Sequence, residues 1–335
     1  MMKEYGGYLP LELEHRGELF DRYENVNIAR FNSGRSAIVA AVESLNPKRL
    51  FIPYYNCNVV REALERENIS YQLYFLNDRL EPMIDDFGPQ DWLVYVNYFG
   101  INSEEKILKI SEKYKNVIFD NTQAFYAKPV LDGNCMNAYS PRKFVGLPDG
   151  GYLVWSGNHT VREDYPLDVS WDRASFLFKS IELGTNAAYQ DNLGSKACLA
   201  DGIKRMSVLT RKMLCSLEYD HLSAERDRNY RVLVERLGGV NQLGLPMEGY
   251  APFVYPLLVE DLSLRKRLVG RRIYVPQWWK YLLNEVPSDS VEARLSNYLI
   301  PLPVDHRYNA LDMNDIAEIV LECIQDGDDS SQSIG

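Results

Sequence analysis

Residues 120–151 read DNTQAFYAKPVLDGNCMNAYSPRKFVGLPDGG, and the interpretation of the whole chain starts from this stretch. An apolar run, Val117-Ile118-Phe119, leads into it and ends at the carboxylate of Asp120. Further along, Lys143 precedes a glycine-rich turn over 146–151, after which the chain re-enters an apolar run at 152–155. The stretch therefore predicts a buried strand that ends in an acid, and a loop that presents a lysine before the next strand.

An acid and a lysine in this arrangement are the groups that an enzyme using pyridoxal phosphate needs. The lysine amine forms a Schiff base with the cofactor, and the carboxylate pairs with the pyridinium nitrogen and keeps the ring an electron sink. Arg142 adds positive charge beside the amine or binds substrate, and the hydroxyl of Ser140 suits the cofactor phosphate. Alternatively, Lys143 is a solvated surface residue and Asp120 caps a helix. A carboxylate directly after an apolar run is costly unless it is paired, which favours the cofactor hypothesis.

Composition and charge argue against several classes of function. Of 335 residues, 46% are hydrophobic and 25% are charged, as in a soluble globular protein. The formal net charge of -10, with no basic stripe, argues against nucleic-acid binding. The N-terminal segment lacks the pattern of a signal peptide, and no apolar run is long enough to span a membrane. We therefore expect a cytoplasmic protein with neither a nucleic-acid nor a membrane partner.

The cysteines and histidines do not have the spacing of metal ligands. The five cysteines are scattered without a Cys-x-x-Cys pair, and the four histidines lie far apart. We expect neither a metal site nor a disulfide framework.

A turn near the N-terminus predicts an anion site. Residues 33–36 read Ser-Gly-Arg-Ser and open a run whose apolar residues recur at helical spacing. The free backbone N–H groups and the positive end of the helix dipole at such a turn bind phosphate. The alternative is a simple N-cap by Ser33 or Ser36.

Strands and helices alternate along the first half of the chain. Strand-like runs lie at 49–53, 71–75, 92–96, 117–119 and 152–155, with helical patterns near 36–45, 59–67 and from 103 onwards. This alternation predicts an α/β fold with a mostly parallel sheet. Ligands bind at the carboxyl ends of the strands in such sheets. The candidates that fall there are Tyr55, Tyr98, Asp120 and Gln123.

The second half of the chain predicts long helices and a smaller domain. Apolar residues recur at three- and four-residue spacing within 188–237, where a helix would link the two domains. We expect a large domain over 1–236 with an N-terminal arm at 1–30, a small domain over 237–325 and a disordered tail at 326–335. The small domain is predicted to contain helices at 262–269 and 313–324 and three strands, at 253–259, 272–275 and 298–304.

The ordered set of motifs resembles the DegT/StrS group of sugar aminotransferases. The resemblance covers roughly residues 25–325. The set is Ser33-Gly34-Arg35-Ser36, Pro53-Tyr54-Tyr55-Asn56, Asp120-x-x-Gln123-Ala124, Lys143 with Asp149-Gly150-Gly151, and Gly184-x-Asn186. The family has a carboxylate six residues after its lysine, and here 149 − 143 = 6. The resemblance implies a fold-type I pyridoxal-phosphate enzyme, with a mostly parallel sheet flanked by helices and a smaller C-terminal α+β domain.

The resemblance also implies a role for each matching residue. Lys143 would form the Schiff base and Asp120 would hold the pyridinium nitrogen, with Gln123 near the ring oxygen. The cofactor phosphate would be held by Gly34, Arg35 and Ser36. Asn186 would reach the phosphate of a neighbouring subunit, which implies a homodimer with shared sites.

The chain departs from the family pattern at three positions. Asp149 stands where the family usually has Glu, and Ala138 stands where it has a phosphate-binding serine, so that Ser140 would substitute. The ring-stacking aromatic of the family aligns near Cys57, so Tyr55 or Tyr98 would have to cover the ring.

The resemblance implies transfer of an amino group from glutamate to a keto-sugar carried on a nucleotide. Aromatic residues that suit the wall of a sugar or base pocket are Tyr54, Tyr98, Trp278 and Trp279, although core packing is the commoner role of such residues. Two alternatives remain: a pyridoxal-phosphate enzyme of another reaction type or with an amino-acid substrate, and a non-catalytic binding protein on the same fold.

Overall fold

A computed structural model describes residues 5–162 and 164–332 of the chain. Its ten strands are β1 (Asn27–Phe31), β2 (Arg49–Pro53), β3 (Gln72–Leu76), β4 (Pro82–Met83), β5 (Asp91–Val96), β6 (Val117–Asn121), β7 (Cys135–Tyr139), β8 (Gly151–Trp155), β9 (Val254–Leu258) and β10 (Leu299–Pro303). Its α-helices are α1 (Gly34–Leu45), α2 (Asn58–Arg66), α3 (Glu104–Tyr114), α4 (Ser175–Leu183), α5 (Tyr189–Ala197), α6 (Val208–Cys215), α7 (Tyr219–Leu237), α8 (Leu264–Gly270), α9 (Val291–Tyr298) and α10 (Ala310–Gln332).

The first eight strands form one sheet in the order β1-β8-β7-β6-β5-β2-β3-β4. Neighbours from β7 through β3 are parallel, whereas β1, β8 and β4 pair antiparallel. All residues of β5, β6 and β7 are buried, as expected where elements cover both faces of a parallel sheet. The predicted α/β class with a mostly parallel sheet is confirmed.

Helix α1 forms where the apolar spacing predicted it. Ser33 caps it, its Oγ accepting a hydrogen bond from the backbone N–H of Ser36 at 3.2 Å, and Asn46 ends it in the left-handed conformation with φ 44°. The helix packs against β7 and β8. Its N-terminus therefore lies at the edge of the sheet where the parallel strands end.

Strand β7 is absent from the sequence prediction because a polar residue interrupts its apolar character. Asn137 lies in the middle of the strand and is fully buried. Its side chain accepts from the N–H of Val130 at 2.9 Å and donates to the carbonyls of Val130 at 3.0 Å and Val154 at 3.1 Å. These bonds satisfy the buried amide, which no periodicity of apolar residues reveals.

The second sheet has two antiparallel strands, β9 and β10, with α7, α8 and α10 packed beside them. The strand predicted at 272–275 is wrong: these residues form no ladder, and Arg272 adopts φ 66°. Ile273 and Val275 are buried while Tyr274 is exposed, so the alternation reflects packing on the core without a partner strand. The predicted domain division at 236 and 237 stays a prediction.

The C-terminal helix is longer than expected. Helix α10 continues through Gln332, while 333–335 lie outside the described residues, and the disordered tail expected at 326–335 stays a prediction. Within the described ranges, no helix combines the length and apolar character that crossing a membrane requires.

Candidate active site

Asp120 lies at the carboxyl end of β6, between the neighbouring ends of β5 and β7. In the sheet register it is opposite Val96 on one side and Ala138 on the other. Its side chain is buried, and its Oδ1 accepts a hydrogen bond from the backbone N–H of Thr122 at 3.0 Å. The other carboxylate oxygen thus remains as an acceptor at the edge of the sheet where ligands bind in α/β folds.

Lys143 reaches the same place from the next strand. It ends a 3₁₀ helix, Pro141–Lys143, that follows β7, and its Nζ donates to Thr122 Oγ1 at 3.0 Å. The residue keeps solvent-accessible surface although protein surrounds it closely. That burial among protein atoms lowers the pKa of the amine, with the positive charges of Arg142 and Arg35 acting in the same direction, while Asp120 opposes the shift.

The N-terminus of α1 lies against this pair of residues. A Cβ on Gly34 would lie 2.5 Å from Thr122 Cγ2 and 3.2 Å from Ser140 Cβ, so only glycine permits this approach. The first-turn amides of α1 have no acceptor within the helix. The predicted anion site, the lysine and the strand-terminal acid therefore meet around Thr122, a residue that the sequence analysis did not single out.

The two serines of the turn are engaged in capping. Ser36 Oγ donates to Asn32 Oδ1 at 2.8 Å, and Ser33 Oγ accepts from the N–H of Ser36. The N-cap alternative for Ser33 is therefore correct, and it leaves the backbone N–H groups of Gly34 and Arg35 as the donors for an anion.

Gln123 is buried beside the site with its amide oriented. Its Oε1 accepts from the backbone N–H of Phe99 at 2.8 Å, and Phe99 adopts φ 60°. Because the carbonyl end of the amide is held by Phe99, the NH₂ end is the one left to donate to a ligand.

Tyr55 and Tyr98 lie in the core. Both side chains are fully buried, Tyr98 Oη donates to the carbonyl of Tyr55 at 2.7 Å, and the Tyr55 ring packs edge-on against Trp279 with centroids 4.4 Å apart. Burial raises the pKa of the Tyr55 phenol. With no exposed ring face, neither tyrosine supports the prediction that it covers a cofactor ring, and Tyr98 offers no surface to a substrate.

Phe253 and Trp278 form an aromatic wall beside the lysine. The Lys143 Nζ lies 5.8 Å from the centroid of the Phe253 ring. Trp278, which is half-buried, stacks on Phe253 with centroids 5.8 Å apart and 13° between the planes, and on Phe99 at 5.9 Å and 20°. The structure thus brings Trp278 to the site, and it adds Phe253, for which the sequence offered no signal beyond a predicted strand.

Comparison with solved structures identifies the fold. The chain matches the sugar aminotransferase CalS13 from Micromonospora echinospora at 16% identity and TM-score 0.56, covering 90% of this chain and 87% of that one. It matches a DegT DnrJ EryC1 StrS aminotransferase from Brucella abortus at 16% identity and TM-score 0.55, covering 88% and 85%. It matches NtdA from Bacillus subtilis, with bound cofactor PMP, at 13% identity and TM-score 0.57, covering 89% and 73%.

The chain has the fold of sugar aminotransferases. No family model matches it, and no curated protein matches it by sequence.

Within this sugar-aminotransferase fold, Arg226 of α7 connects the segment that contains Phe253 to the segment that contains Lys143. Its Nη1 donates to the carbonyls of Pro252 at 3.2 Å and Phe253 at 3.0 Å, and its Nη2 donates to the carbonyl of Phe144 at 3.4 Å. The guanidinium carbon also lies 4.8 Å from the centroid of the Phe144 ring. Arg226 is fully buried, so these contacts fix the aromatic wall relative to the residue that follows Lys143.

Asp149 fixes the glycine-rich turn. Its carboxylate is fully buried and accepts from the N–H and the Oγ of Ser207, both at 3.1 Å, which ties the turn to the N-terminus of α6. Burial raises the pKa of this carboxyl group. At the end of the turn, a Cβ on Gly151 would lie 2.2 Å from the carbonyl oxygen of Ser33. The backbone of the turn therefore packs directly against the start of α1, where only glycine fits.

Two further positions named in the sequence analysis are Asn186 and Cys57. Asn186, between α4 and α5, is exposed, and its carbonyl accepts a hydrogen bond from the N–H of Tyr189. Cys57 directly precedes α2 and lies in the surroundings of Lys143, and the alignment of the family's ring-stacking aromatic near this position stays a prediction. Among the described residues no group of acids, cysteines and histidines forms a metal site.

Proposed function

We propose that this protein is a pyridoxal-phosphate-dependent aminotransferase of the DegT/StrS group, which moves an amino group from glutamate to a keto-sugar carried on a nucleotide. The observation that carries the proposal is the convergence on Thr122 of Lys143, a strand-terminal acid and a helix N-terminus. The fold shared with sugar aminotransferases supports the sugar as acceptor.

The residues present fit the cofactor. Gly34 packs closely against Thr122 and Ser140, which brings the first-turn amides of α1 and the Ser140 side chain to one place, where they would bind the phosphate. Asp120 is buried and suited to a protonated ring nitrogen, and the oriented amide of Gln123 suits the ring oxygen. When bound, pyridoxal phosphate supplies a carbonyl for amino groups and a ring that accepts electrons.

Lys143 is the proposed catalytic residue. Its lowered pKa increases the fraction of unprotonated amine near neutral pH, which is the form that attacks a carbonyl and that removes a proton. Its contact with Thr122 orients the amine at the edge of the sheet. The same nitrogen would take the proton from the α-carbon of the donor and return a proton on the acceptor side.

The aromatic wall is the proposed surface for the acceptor. The rings of Trp278 and Phe253 lie nearly parallel, with Phe253 beside Lys143, and aromatic surfaces of this kind would pack against a sugar ring or a base. Among the wall candidates named from the sequence, this favours Trp278 over Tyr98.

A homodimer with shared sites is part of the proposal. Helix α4 has no buried residue, and its apolar side chains are exposed, with Ile181 82% and Phe178 58% accessible. An exposed apolar surface of this kind marks an interface. Asn186 follows this helix directly, which suits a side chain that acts at the site of a second copy.

Cofactor loading tests the proposal. Apoprotein mixed with pyridoxal phosphate should develop the visible absorption of a lysine-bound cofactor, and Lys143→Ala should not. Lys106→Ala is the matched control, because the pKa of Lys106 is also lowered by burial, yet its Nζ donates to the carbonyl of Arg79, away from the site. A wild-type protein that takes up no cofactor would refute the proposal.

Half-reactions separate the alternatives. L-Glutamate should remove the absorption band, and a keto-sugar nucleotide should restore it. Restoration by 2-oxo acids alone would indicate an amino-acid aminotransferase. A band that no amino donor removes would indicate another reaction type or a non-catalytic binding protein.

A further inference from the structure

Two arginines beside Lys143 have no partner in the described part of the chain. Arg35 and Arg142 are half-buried, yet neither side chain makes a hydrogen bond or an ion pair with a described residue, and Arg142 Nε is buried without an acceptor. The other described arginines whose side chains have no such partner, Arg79 and Arg272, are exposed to solvent. A buried donor without an acceptor is costly, so an unpaired half-buried pair indicates a missing ligand.

The pair is positively charged and not neutralised. Burial lowers the pKa of Arg142 to about 10, and the charge of Arg35 acts in the same direction. The carboxylates that influence the pair are engaged elsewhere: Asp149 with Ser207, and Glu62 with Asn58 Nδ2 at 2.6 Å. An oxyanion is the ligand that would satisfy both guanidinium groups.

We propose that Arg142, together with Arg35, binds the α-carboxylate of the amino donor. This inference rests on the proposed function, since it assigns the donor to the same site. The first-turn amides of α1 and Ser140 already suit the cofactor phosphate. Arg142 directly precedes Lys143, and an α-carboxylate is bonded to the carbon whose proton Lys143 would move. The diphosphate of a nucleotide sugar is several bonds from the reacting carbon, which makes it the less suitable ligand.

Substitution of Arg142 tests the assignment. In cofactor-loaded protein, Arg142→Met should raise the L-glutamate concentration that half-saturates the first half-reaction by about ten- to a hundredfold, the effect of losing a charge-assisted hydrogen bond. Arg142→Lys should give an intermediate effect, because an ammonium group cannot form the bidentate pair. Arg79→Met is the matched control, since Arg79 is an exposed arginine that also lacks a partner, and it should not alter the half-saturation.

Substrate pairs distinguish the two sources of the oxyanion. Wild-type protein should prefer L-glutamate over 4-aminobutyrate, which lacks the α-carboxylate, and Arg142→Met should lose most of that preference. If Arg142→Met instead weakens the use of a keto-sugar nucleotide and its competition by pyrophosphate, the carboxylate assignment is wrong. If it weakens only the affinity for pyridoxal phosphate, Arg142 is a ligand of the cofactor phosphate and the proposal is again overturned.

Calorimetry gives a readout without turnover. Titration of wild-type apoprotein with 2-oxoglutarate should show binding that Arg142→Met loses and Arg79→Met keeps. Equal binding by wild-type and Arg142→Met would overturn the subsite, even if the protein loads cofactor normally. Failure of cofactor loading would overturn the proposed function, whereas the calorimetric comparison would still report on the arginine pair.

Discussion

Thr122 joins the lysine to the helix N-terminus: its Oγ1 accepts from Lys143 Nζ at 3.0 Å, and its Cγ2 lies 2.5 Å from where a Cβ on Gly34 would be. One side chain thus contacts both the amine of Lys143 and the start of α1. Its position follows from β6, because the carboxylate of Asp120 fixes the N–H of Thr122 two residues later.

A double substitution should reveal this packing. Gly34→Ala places a methyl group against Thr122 Cγ2, and we expect it to lower the free energy of unfolding by about 1–3 kcal/mol, as for other overpacked sites. Thr122→Ser removes the obstructing methyl group and keeps the hydroxyl for Lys143. The combined variant should therefore recover part of the loss in urea denaturation. Additive effects of the two substitutions would contradict the contact.

The burial of Lys143 should give the apoprotein a pH-dependent stability. Since the folded-state pKa of Lys143 is lowered, the amine is charged in both states below that pKa, and the cost of surrounding the charge with protein is fully present there. As the pH rises through the folded-state pKa, the folded protein loses its proton first and the cost diminishes. It disappears above the unfolded-state pKa of about 10.4.

Lys143→Met isolates this contribution. The stability of the variant relative to wild-type apoprotein should be highest below the folded-state pKa of Lys143 and should decrease as the pH rises from there toward the pKa of a free lysine. Urea midpoints of both proteins at several pH values measure the difference, and any constant effect of the methionine cancels. A difference that does not change with pH would show that the amine is as well solvated as in the unfolded chain.

The sequence predicted the fold where local pattern and final environment agree. The apolar runs of β2, β5 and β6 are visible because both faces of the sheet are covered, and α1 is visible because its cap and its apolar spacing coincide. Strand β7 was missed because Asn137 is satisfied by Val130 and Val154, which only the folded chain brings near. The strand at 272–275 was predicted from the sequence of these residues, but their alternation of buried and exposed side chains results from packing on the core without a partner strand.

The candidate site was predictable to the extent that its residues end strands or open helices. Lys143, Asp120 and Gly34 could be found from local motifs, and Thr122 was within reach as a hydroxyl two residues after the acid. Phe253 could not be found in this way, because it meets Lys143 only through a contact between segments more than 100 residues apart in the chain. Arg226 could not be found either, because it binds backbone carbonyls, which every sequence provides. Tyr55 was assigned to the site from its place after β2, yet it turns into the core.

Arg226 should act on the site through position alone. Arg226→Met leaves the carbonyls of Phe144 and Phe253 without a donor, and we expect a loss of about 3 kcal/mol in the free energy of unfolding. It should also slow the half-reactions with little change in cofactor affinity, because the aromatic wall loses its link to the segment of Lys143. Stopped-flow absorbance of cofactor-loaded protein and urea denaturation measure the two effects.

Arg231→Met provides the control on the same helix. Arg231 is an exposed residue that pairs with Asp227 at 2.6 Å, so its removal should change stability by less than about 1 kcal/mol. A similar loss for Arg231→Met and Arg226→Met would mean that α7 is sensitive to any substitution, and the positioning role would not be supported.

Ile181→Glu should separate a dimer into monomers that remain folded. Ile181 is 82% exposed on α4, so a glutamate there removes nothing from the core of its own chain. In an apolar interface, the same carboxylate would be buried without a partner in both copies, which costs several kcal/mol. Sedimentation velocity should therefore show a dimer for wild-type protein and a monomer for the variant, with equal circular dichroism.

Glu182→Gln, at the next position of the same helix, should leave the dimer intact. If sites are shared between subunits, the monomer should also bind pyridoxal phosphate more weakly, whereas a variant that stays dimeric would show that this face of α4 is not the interface.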